Sequence, residues 1–234
     1  MIQLRDVDVV VPAAAQGQPD RAILRDVTLD LAERRICVIG ANGSGKSTFL
    51  RLLNGLRMPT RGRVVVAGHD TASQARKVRS QVAFIFSDPL AQLVMSTPVE
   101  DVELSLRPLV SGRAARREAA QALLRDRGIG HVAHQSIYDL SGGERQLVAL
   151  TSVLAVNPSV LVADEPSTLL DLRNTVLIRR VLAGLPQQVI YSTHDLDFAG
   201  DADRVLVFDA GRVVADGPPA GAIASYVRVT GAAG

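Results

Sequence analysis

The sequence is poor in several residue types, and each scarcity narrows what the chain can be. It has one cysteine, Cys37, which excludes an internal disulfide, and with no signal-like amino terminus we expect a cytosolic location. Tryptophan is absent and aromatic residues make up 3% of the chain, which argues against a surface that stacks on nucleic-acid bases. No apolar run approaches the roughly 18 residues that a membrane-spanning helix needs.

Lysine is equally scarce, because only Lys46 and Lys77 are lysines among 26 basic residues. The 24 acidic residues leave a net charge of +2, too little excess to follow a nucleic-acid backbone, so we expect no nucleic-acid partner. The 234 residues, 47% hydrophobic and 21% charged, fit one globular domain of residues 1–234, with or without a subdomain.

Strand-like segments dominate the ends of the chain. Two alternating runs, 2–11 and 23–31, flank a loop at 12–20 and predict a small antiparallel layer. Four continuous apolar runs are typical of parallel strands buried on both faces; they cover 35–39, 82–86, 160–163 and 189–192. Residues 204–215 predict a hairpin, and 230–234 a frayed tail. We therefore expect an α/β fold, with its core and β layer in residues 1–90 and 157–220.

A helical stretch interrupts this pattern between about residues 91 and 156. Helices are predicted at 98–107, 114–127 and 143–156. In the second, one face carries four apolar residues, Ala115, Ala119, Ala122 and Leu123. A helical insert in an α/β core indicates a separate helical subdomain.

A glycine-rich loop follows the buried strand 35–39 and has the spacing of a phosphate-binding loop, with four residues between the first glycine and G-K-S. Its residues are Gly40, Ala41, Asn42, Gly43, Ser44, Gly45, Lys46 and Ser47, followed by Thr48. Backbone amides of such a loop and the following helix amino terminus favour phosphate. Lys46 would reach the outer phosphates and Ser47 would ligate Mg²⁺, which predicts ATP and Mg²⁺ as ligands.

Polar residues follow two of the other buried strands. Asp164 and Glu165 end the run 160–163, where Asp164 would hold Mg²⁺ through water and Glu165 would polarise an attacking water. By themselves two acids at a strand end are more often a helix cap or a solvated loop, and the phosphate-binding loop reverses that preference. His194 follows the strand 189–192 and suits a contact to a γ-phosphate.

A second glycine-containing motif comprises Leu140, Ser141, Gly142, Gly143 and Glu144. Ser141 and Glu144 have the spacing of a capping box for the helix that follows. A capped, uncovered helix start with two glycines also suits an anion, such as the phosphate of a nucleotide held by another molecule. Both interpretations hold together.

These motifs occur in the order found in ABC-type (ATP-binding cassette) ATPase subunits, and the chain resembles that family along its whole length. The matching elements are Walker A at 40–48, the signature at 140–146, Walker B at 160–165, the D-loop at 168–171 and the switch histidine, His194. The resemblance implies a RecA-like core with an amino-terminal antiparallel β subdomain and an ABC-specific helical subdomain. It also implies a head-to-tail dimer, in which the signature covers the partner's ATP and Asp171 communicates between subunits.

The segments 86–93 and 97–102 resemble the ATPases of energy-coupling factor (ECF) importers of vitamins and metals, and 87–96 and 163–174 resemble those for biotin in particular. This implies an ATPase on the cytoplasmic face of the membrane, working with a transmembrane coupling (T) component and a substrate-binding (S) component. A homodimer and biotin cargo are expected. The alternatives are a metal ion or another vitamin as cargo, or a soluble ABC ATPase outside transport.

The sequence departs from the family in two places. Ser87 occupies the Q-loop position, where the family usually has a glutamine that contacts Mg²⁺, and either a bridging water or Gln92 would have to compensate. No Phe, Tyr, Trp or His precedes Phe49, so the aromatic residue that stacks on adenine is missing. An aliphatic contact such as Val11 would replace it.

Overall fold

The computed structural model describes residues 1–12 and 19–231. Most of the predicted loop at 12–20 and the last three residues of the predicted frayed tail lie outside the described residues. The described part of that tail begins at Thr230, which ends the last helix.

The described residues form two sheets and eight α-helices. The strands are β1 Ile2–Val11, β2 Arg21–Leu31, β3 Arg35–Gly40, β4 Arg61–Val66, β5 His69–Asp70, β6 Val82–Ile85, β7 Val160–Ala163, β8 Gln188–Ser192, β9 Arg204–Asp209 and β10 Arg212–Gly217. The helices are α1 Lys46–Leu53, α2 Ala75–Gln81, α3 Pro98–Leu106, α4 Arg113–Asp126, α5 Gly142–Leu154, α6 Leu172–Gly184, α7 Leu196–Ala199 and α8 Pro219–Val229.

The first sheet is antiparallel, as predicted, with the order β2-β1-β4-β5. The buried residues of β1 change from even to odd positions after Leu4 because the register shifts there, at Asp6 with its positive φ of 49°. The strands β4 and β5 were not predicted. Gly62 of β4 lies so close to β1 that a Cβ atom there would be 2.3 Å from the Asp6 carbonyl oxygen, which explains a glycine within a strand.

The second sheet has the order β10-β9-β3-β8-β7-β6 and positions the site. All neighbouring pairs from β9 to β6 are parallel, and β10 closes one edge as the antiparallel hairpin that the sequence predicts. Because β3, β8 and β7 are adjacent, the segments that follow their carboxyl ends meet at one edge of the sheet. Those segments carry the phosphate-binding loop, His194 and the two acidic residues.

Two apolar clusters hold these layers together. One lies between the sheets and around α1, where the rings of Phe49 and Phe208 are 5.0 Å apart. The other joins the second sheet to the helices of residues 98–154 and to α6 and α8. Among those helices Asp101 is buried, and its carboxylate accepts hydrogen bonds from the backbone of Val94 and Met95 and from Ser152 Oγ. Asp101 therefore fixes the segment that precedes α3 onto α5.

The three helices predicted between 91 and 156 are present, but the predicted apolar face of α4 is only partly correct. Its buried residues are Ala120 and Leu124, with Ala119 and Leu123 partly buried, whereas Ala115 is exposed. The buried face of α4 is displaced from the predicted one because α4 packs chiefly on α3. The position of α3, and not the helical period alone, decides which side of α4 is covered.

Candidate nucleotide site

The phosphate-binding loop connects β3 to α1 at the carboxyl edge of the second sheet. Gly45, with φ of 109°, has no room for a side chain, since a Cβ atom there would lie 2.7 Å from Leu24 Cδ2. Lys46 Nζ donates hydrogen bonds to the carbonyl oxygens of Gly40 at 2.7 Å and Ala41 at 3.1 Å. The lysine therefore lies folded back over its own loop.

Two polar groups in this loop fit an anionic ligand. Ser44 Oγ is buried and has no hydrogen-bond partner among the described residues, which is a costly arrangement unless a ligand supplies one. Burial lowers the pKa of Lys46, and the nearby carboxylates of Glu165 and Asp164 act in the opposite direction. A phosphate would give Ser44 Oγ a hydrogen-bond partner and would place a negative charge beside Lys46.

Ser47 and Asp164 form the adjacent polar pair, although 117 positions of sequence separate them. Ser47 Oγ donates to Asp164 Oδ1 at 3.0 Å, and Ser192 Oγ donates to the same oxygen at 2.9 Å. Asp164 is 5% exposed. A hydroxyl and a carboxylate at this distance provide the oxygen ligands that Mg²⁺ prefers.

Glu165 lies beside His194, and its geometry is closely constrained. Its backbone is left-handed, with φ of 51°, and its N–H donates to Ser192 Oγ at 2.9 Å. One carboxylate oxygen accepts a hydrogen bond from Thr168 Oγ1 at 2.9 Å, and the other lies 2.6 Å from His194 Nε2. A non-glycine residue in this conformation is a strained one held by its surroundings, as functional residues often are.

The pocket over the loop also includes two residues that sequence reasoning missed. This cavity of about 250 Å³ is lined by Arg21, Ile23, Asn42, Gly43, Gly45, Lys46, Ser47, Thr48 and Glu165. Val11, the predicted aliphatic contact, is not among these lining residues, and it pairs with Arg21 across β1 and β2. No local motif marks Arg21 or Ile23; only the pairing of β2 in three dimensions brings them to the loop.

The signature residues do not line this pocket in the described chain. Ser141 and Glu144 form the predicted capping box at the start of α5, with Ser141 Oγ 3.3 Å from the Glu144 nitrogen and the Ser141 nitrogen 2.9 Å from Glu144 Oε2. Gly143 packs so tightly on Asn174 of α6 that a Cβ atom would be 2.2 Å from Asn174 Oδ1. Asp171 accepts a hydrogen bond from the Asn174 backbone, which caps α6.

The Q-loop position is occupied by an exposed serine, Ser87. In this structure Gln92 does not take over the role of the glutamine that the family usually has there. Gln92 Oε1 accepts a hydrogen bond from the Phe86 backbone at 3.2 Å, and Gln92 Nε2 donates to the Ala149 carbonyl oxygen at 3.4 Å. Both ends of the amide are therefore occupied by backbone. Gln92 connects the end of β6 to α5, whereas Ser87 itself is exposed.

A family model described as ABC transporter matches residues 24–168, which are more than half of the chain. The chain belongs to the ABC transporter family. It is accordingly an ABC ATPase, an enzyme that couples ATP hydrolysis to transport, as its motifs predicted.

Relatives and solved structures agree with this assignment. The biotin transport ATP-binding protein BioM of Rhizobium etli is 44% identical over 89% of this chain and 93% of that protein. The energy-coupling factor transporter ATP-binding protein EcfA2 of Methanospirillum hungatei is 33% identical over 94% of this chain and 56% of that protein. A dimeric post-hydrolysis state of the ATP-binding cassette MJ0796, bound to ADP and phosphate, superposes with a TM-score of 0.84, 28% identity and coverage of 94% of this chain and 99% of that chain.

The ABC ATPase thus has the predicted α/β fold class, and its relatives include both ECF-type and biotin-transport ATPases. Within residues 1–12 and 19–231, none of the helices is both long enough and apolar enough to cross a bilayer.

Proposed function

We propose that this ABC ATPase is the ATP-hydrolysing subunit of an ECF-type importer, and that biotin is its cargo. The observation that carries the proposal is the 44% identity to a biotin transport ATP-binding protein over 89% of the chain. The segments 86–93 and 97–102, which resemble ECF ATPases, and 87–96 and 163–174, which resemble the ATPases for biotin, agree with it. A metal ion or another vitamin is the alternative cargo within the same class.

Within one subunit, the residues of the pocket divide the work of hydrolysis. Lys46 and the loop amides of 40–48 hold the phosphates, and Ser44 Oγ finds its partner there. Ser47, and Asp164 through a water, would hold Mg²⁺, which would neutralise phosphate charge when bound. Glu165 orients and deprotonates the attacking water, and His194 holds both this carboxylate and the γ-phosphate region in place.

A second ATPase subunit completes the site. The signature residues Leu140–Glu144 lie outside the pocket of their own chain, so in the proposed dimer they cover the nucleotide of the other subunit. The amino terminus of α5 is capped by Ser141 and suits a phosphate approaching from outside. Beside it, Leu169 and Leu172 are 86% and 81% exposed, as expected of apolar side chains that a partner covers. Asp171, between them, lies where the two subunits would meet.

Membrane components are proposed to bind near residues 87–101. Val94 is 76% exposed and Leu90 37%, and both lie in the segment that Gln92 and Asp101 fix onto α5. Closure of the dimer would move the helices of 91–156 relative to the sheets and displace whatever occupies this surface. The occupants would be the T component, with the S component binding the cargo, at the cytoplasmic face of the membrane.

A soluble ABC ATPase outside transport is the other functional class. It would typically carry a long coiled coil between Lys46 and Ser141. In this part of the chain, all of which the structure describes, the longest helix is α4 with 14 residues, which disfavours that alternative.

Uptake of labelled biotin tests the proposal directly. The chain is co-expressed with candidate T and S components in cells that cannot import biotin, and the same components with the Lys46→Ala variant are the control. We expect ATP-dependent uptake in cells that express the parent chain with these components, and no uptake in cells that express the Lys46→Ala variant. Uptake of a metal or another vitamin instead would keep the ECF class and discard biotin. Failure of the chain to form a complex with any of the membrane components would overturn the ECF assignment.

A further inference from the structure

Two residues of β2 line the nucleotide pocket beside the phosphate-binding loop. Arg21 opens the strand and Ile23 follows two positions later, and alternate residues of a strand face the same side. Their position is fixed by backbone contacts: the Arg25 nitrogen donates to the Gly211 carbonyl oxygen at 2.9 Å, and the Gly211 nitrogen donates to the Ser44 carbonyl oxygen at 3.0 Å. The start of β2 is thereby held against the loop.

Aromatic side chains of the described residues do not contribute to this pocket. None of the described residues that line it is aromatic, and the sequence has no aromatic residue before Phe49. Phe49 itself is fully buried against Phe208 on the inner side of α1. Within its own subunit's pocket, the base of a bound nucleotide therefore contacts a different kind of side chain.

Arg21 has the chemistry for this contact. Its side chain is exposed and, within the described residues, has no hydrogen bond or ion pair. A guanidinium is planar and weakly hydrated, and it stacks readily on the face of an aromatic ring. We propose that Arg21 binds the nucleobase of ATP by stacking its guanidinium on the ring, with Ile23 as an adjoining apolar contact. The inference rests on the proposed nucleotide site.

Base selectivity follows from this arrangement. Every base presents a π-face, so stacking distinguishes bases weakly, and larger purine rings gain more contact than pyrimidines. We expect GDP to bind within about threefold of ADP and CDP to bind more weakly. A role of Arg21 in attracting phosphate would instead act on any polyphosphate, with or without a base.

Equilibrium binding of ADP, GDP, CDP and inorganic tripolyphosphate to the full chain tests this, measured by calorimetry without hydrolysis. Arg21→Ala should weaken ADP binding about tenfold and leave tripolyphosphate binding unchanged. Arg21→Lys keeps the positive charge but lacks the planar guanidinium, so it should lose most of the ADP affinity. Arg21→Tyr provides a planar ring and should restore that affinity. Arg76→Ala, an exposed arginine of α2 that lines neither this pocket nor the adjoining cavity beside β2, is the matched control and should bind ADP as the parent does.

Three outcomes would overturn the inference. These are unchanged ADP binding by Arg21→Ala, an equal loss of ADP and tripolyphosphate binding, or full ADP affinity in Arg21→Lys. Equal thermal unfolding midpoints establish that each variant is folded. Lys46→Ala separates this inference from the proposed site, because it should lose both ligands; if it kept both, the nucleotide site itself would be misplaced.

Discussion

His194 Nε2 lies 2.6 Å from Glu165 Oε1, although the two residues follow different strands of the second sheet. Thr168 Oγ1 donates to the other oxygen of the same carboxylate. The carboxylate is therefore oriented from both sides by its own chain before any ligand arrives. Such orientation is what a general base needs, because a small displacement of a base from the water it activates costs much of the rate.

Replacing the proposed base should separate binding from hydrolysis. In Glu165→Gln the amide keeps the shape of the side chain and can still contact His194 and Thr168, but it cannot accept the proton of water. We expect ATP binding close to the parent's, a closed dimer that accumulates with ATP, and hydrolysis reduced about 10²–10⁴-fold. Phosphate release and gel filtration measure these. Hydrolysis by this variant at the parent rate would rule out Glu165 as the base.

The two lysines of the chain offer a matched pair of variants. Lys46→Ala removes the buried ammonium of the phosphate-binding loop and should weaken ATP binding about a hundredfold, or about 2.7 kcal/mol. Lys77→Ala removes an equal charge from the exposed face of α2 and should leave binding unchanged. Fluorescent nucleotide titration compares them. Equal losses in the two variants would mean that net charge, not the loop contact, governs binding.

Gln92 should matter for stability and coupling rather than for ATP binding. Gln92→Leu loses the hydrogen bonds to Phe86 and Ala149 and leaves a part-buried backbone N–H without its partner. We expect a loss of about 1–2 kcal/mol in the free energy of unfolding, measured with urea, and unchanged affinity for ATP. Gln121→Leu in α4, where a partly buried amide contacts His134 alone among the described residues, is the control. Weakened ATP binding in Gln92→Leu would show that Gln92 reaches the nucleotide after all.

The capping box formed by Ser141 and Glu144 should contribute less to the stability of the folded chain at acidic pH. Hydrogen bonds from Ser141 to the Glu144 carboxylate hold the pKa of Glu144 below its ordinary value of 4.5, and contact with His131 acts in the same direction. Because the folded-state pKa is the lower one, the stabilisation is complete above about pH 5 and is lost as the pH falls through the folded value.

Comparison of the parent with Glu144→Gln measures this effect. The parent should be more stable by about 1 kcal/mol at pH 6.5, and the difference should shrink as the pH is lowered below 4.5. Glu118→Gln, which alters an exposed carboxylate of α4, should show no such trend. A difference between parent and Glu144→Gln that is independent of pH would contradict the hydrogen-bonding assignment.

Cys37 should report on unfolding. It is fully buried in β3, and this burial raises the pKa of its thiol far above the usual range. We expect a thiol reagent at pH 8 to leave the native chain unlabelled for hours and to label it fully in concentrated urea. Rapid labelling of the native chain would show that β3 opens locally, contrary to its central place in the sheet.

Local patterns predicted much of the molecule because their physical causes are local. The apolar runs of β3, β6, β7 and β8, the capping box of Ser141 and Glu144, and the phosphate-binding loop are all contiguous in sequence. The strands β4 and β5 escaped prediction because they lie among glycines and exposed residues. The buried face of α4 was partly misplaced because packing on α3 selects it.

By itself, the sequence determined the kind of site: a loop for phosphates, acids at a strand end and a capped helix for a second subunit. Only the tertiary structure decided which of these groups meet. The order β3-β8-β7 brings Ser47 to Asp164 and His194 to Glu165, and the pairing of β2 brings Arg21 to the loop. The reason is physical, since strand order and register depend on packing between residues far apart in the chain, which no local pattern encodes.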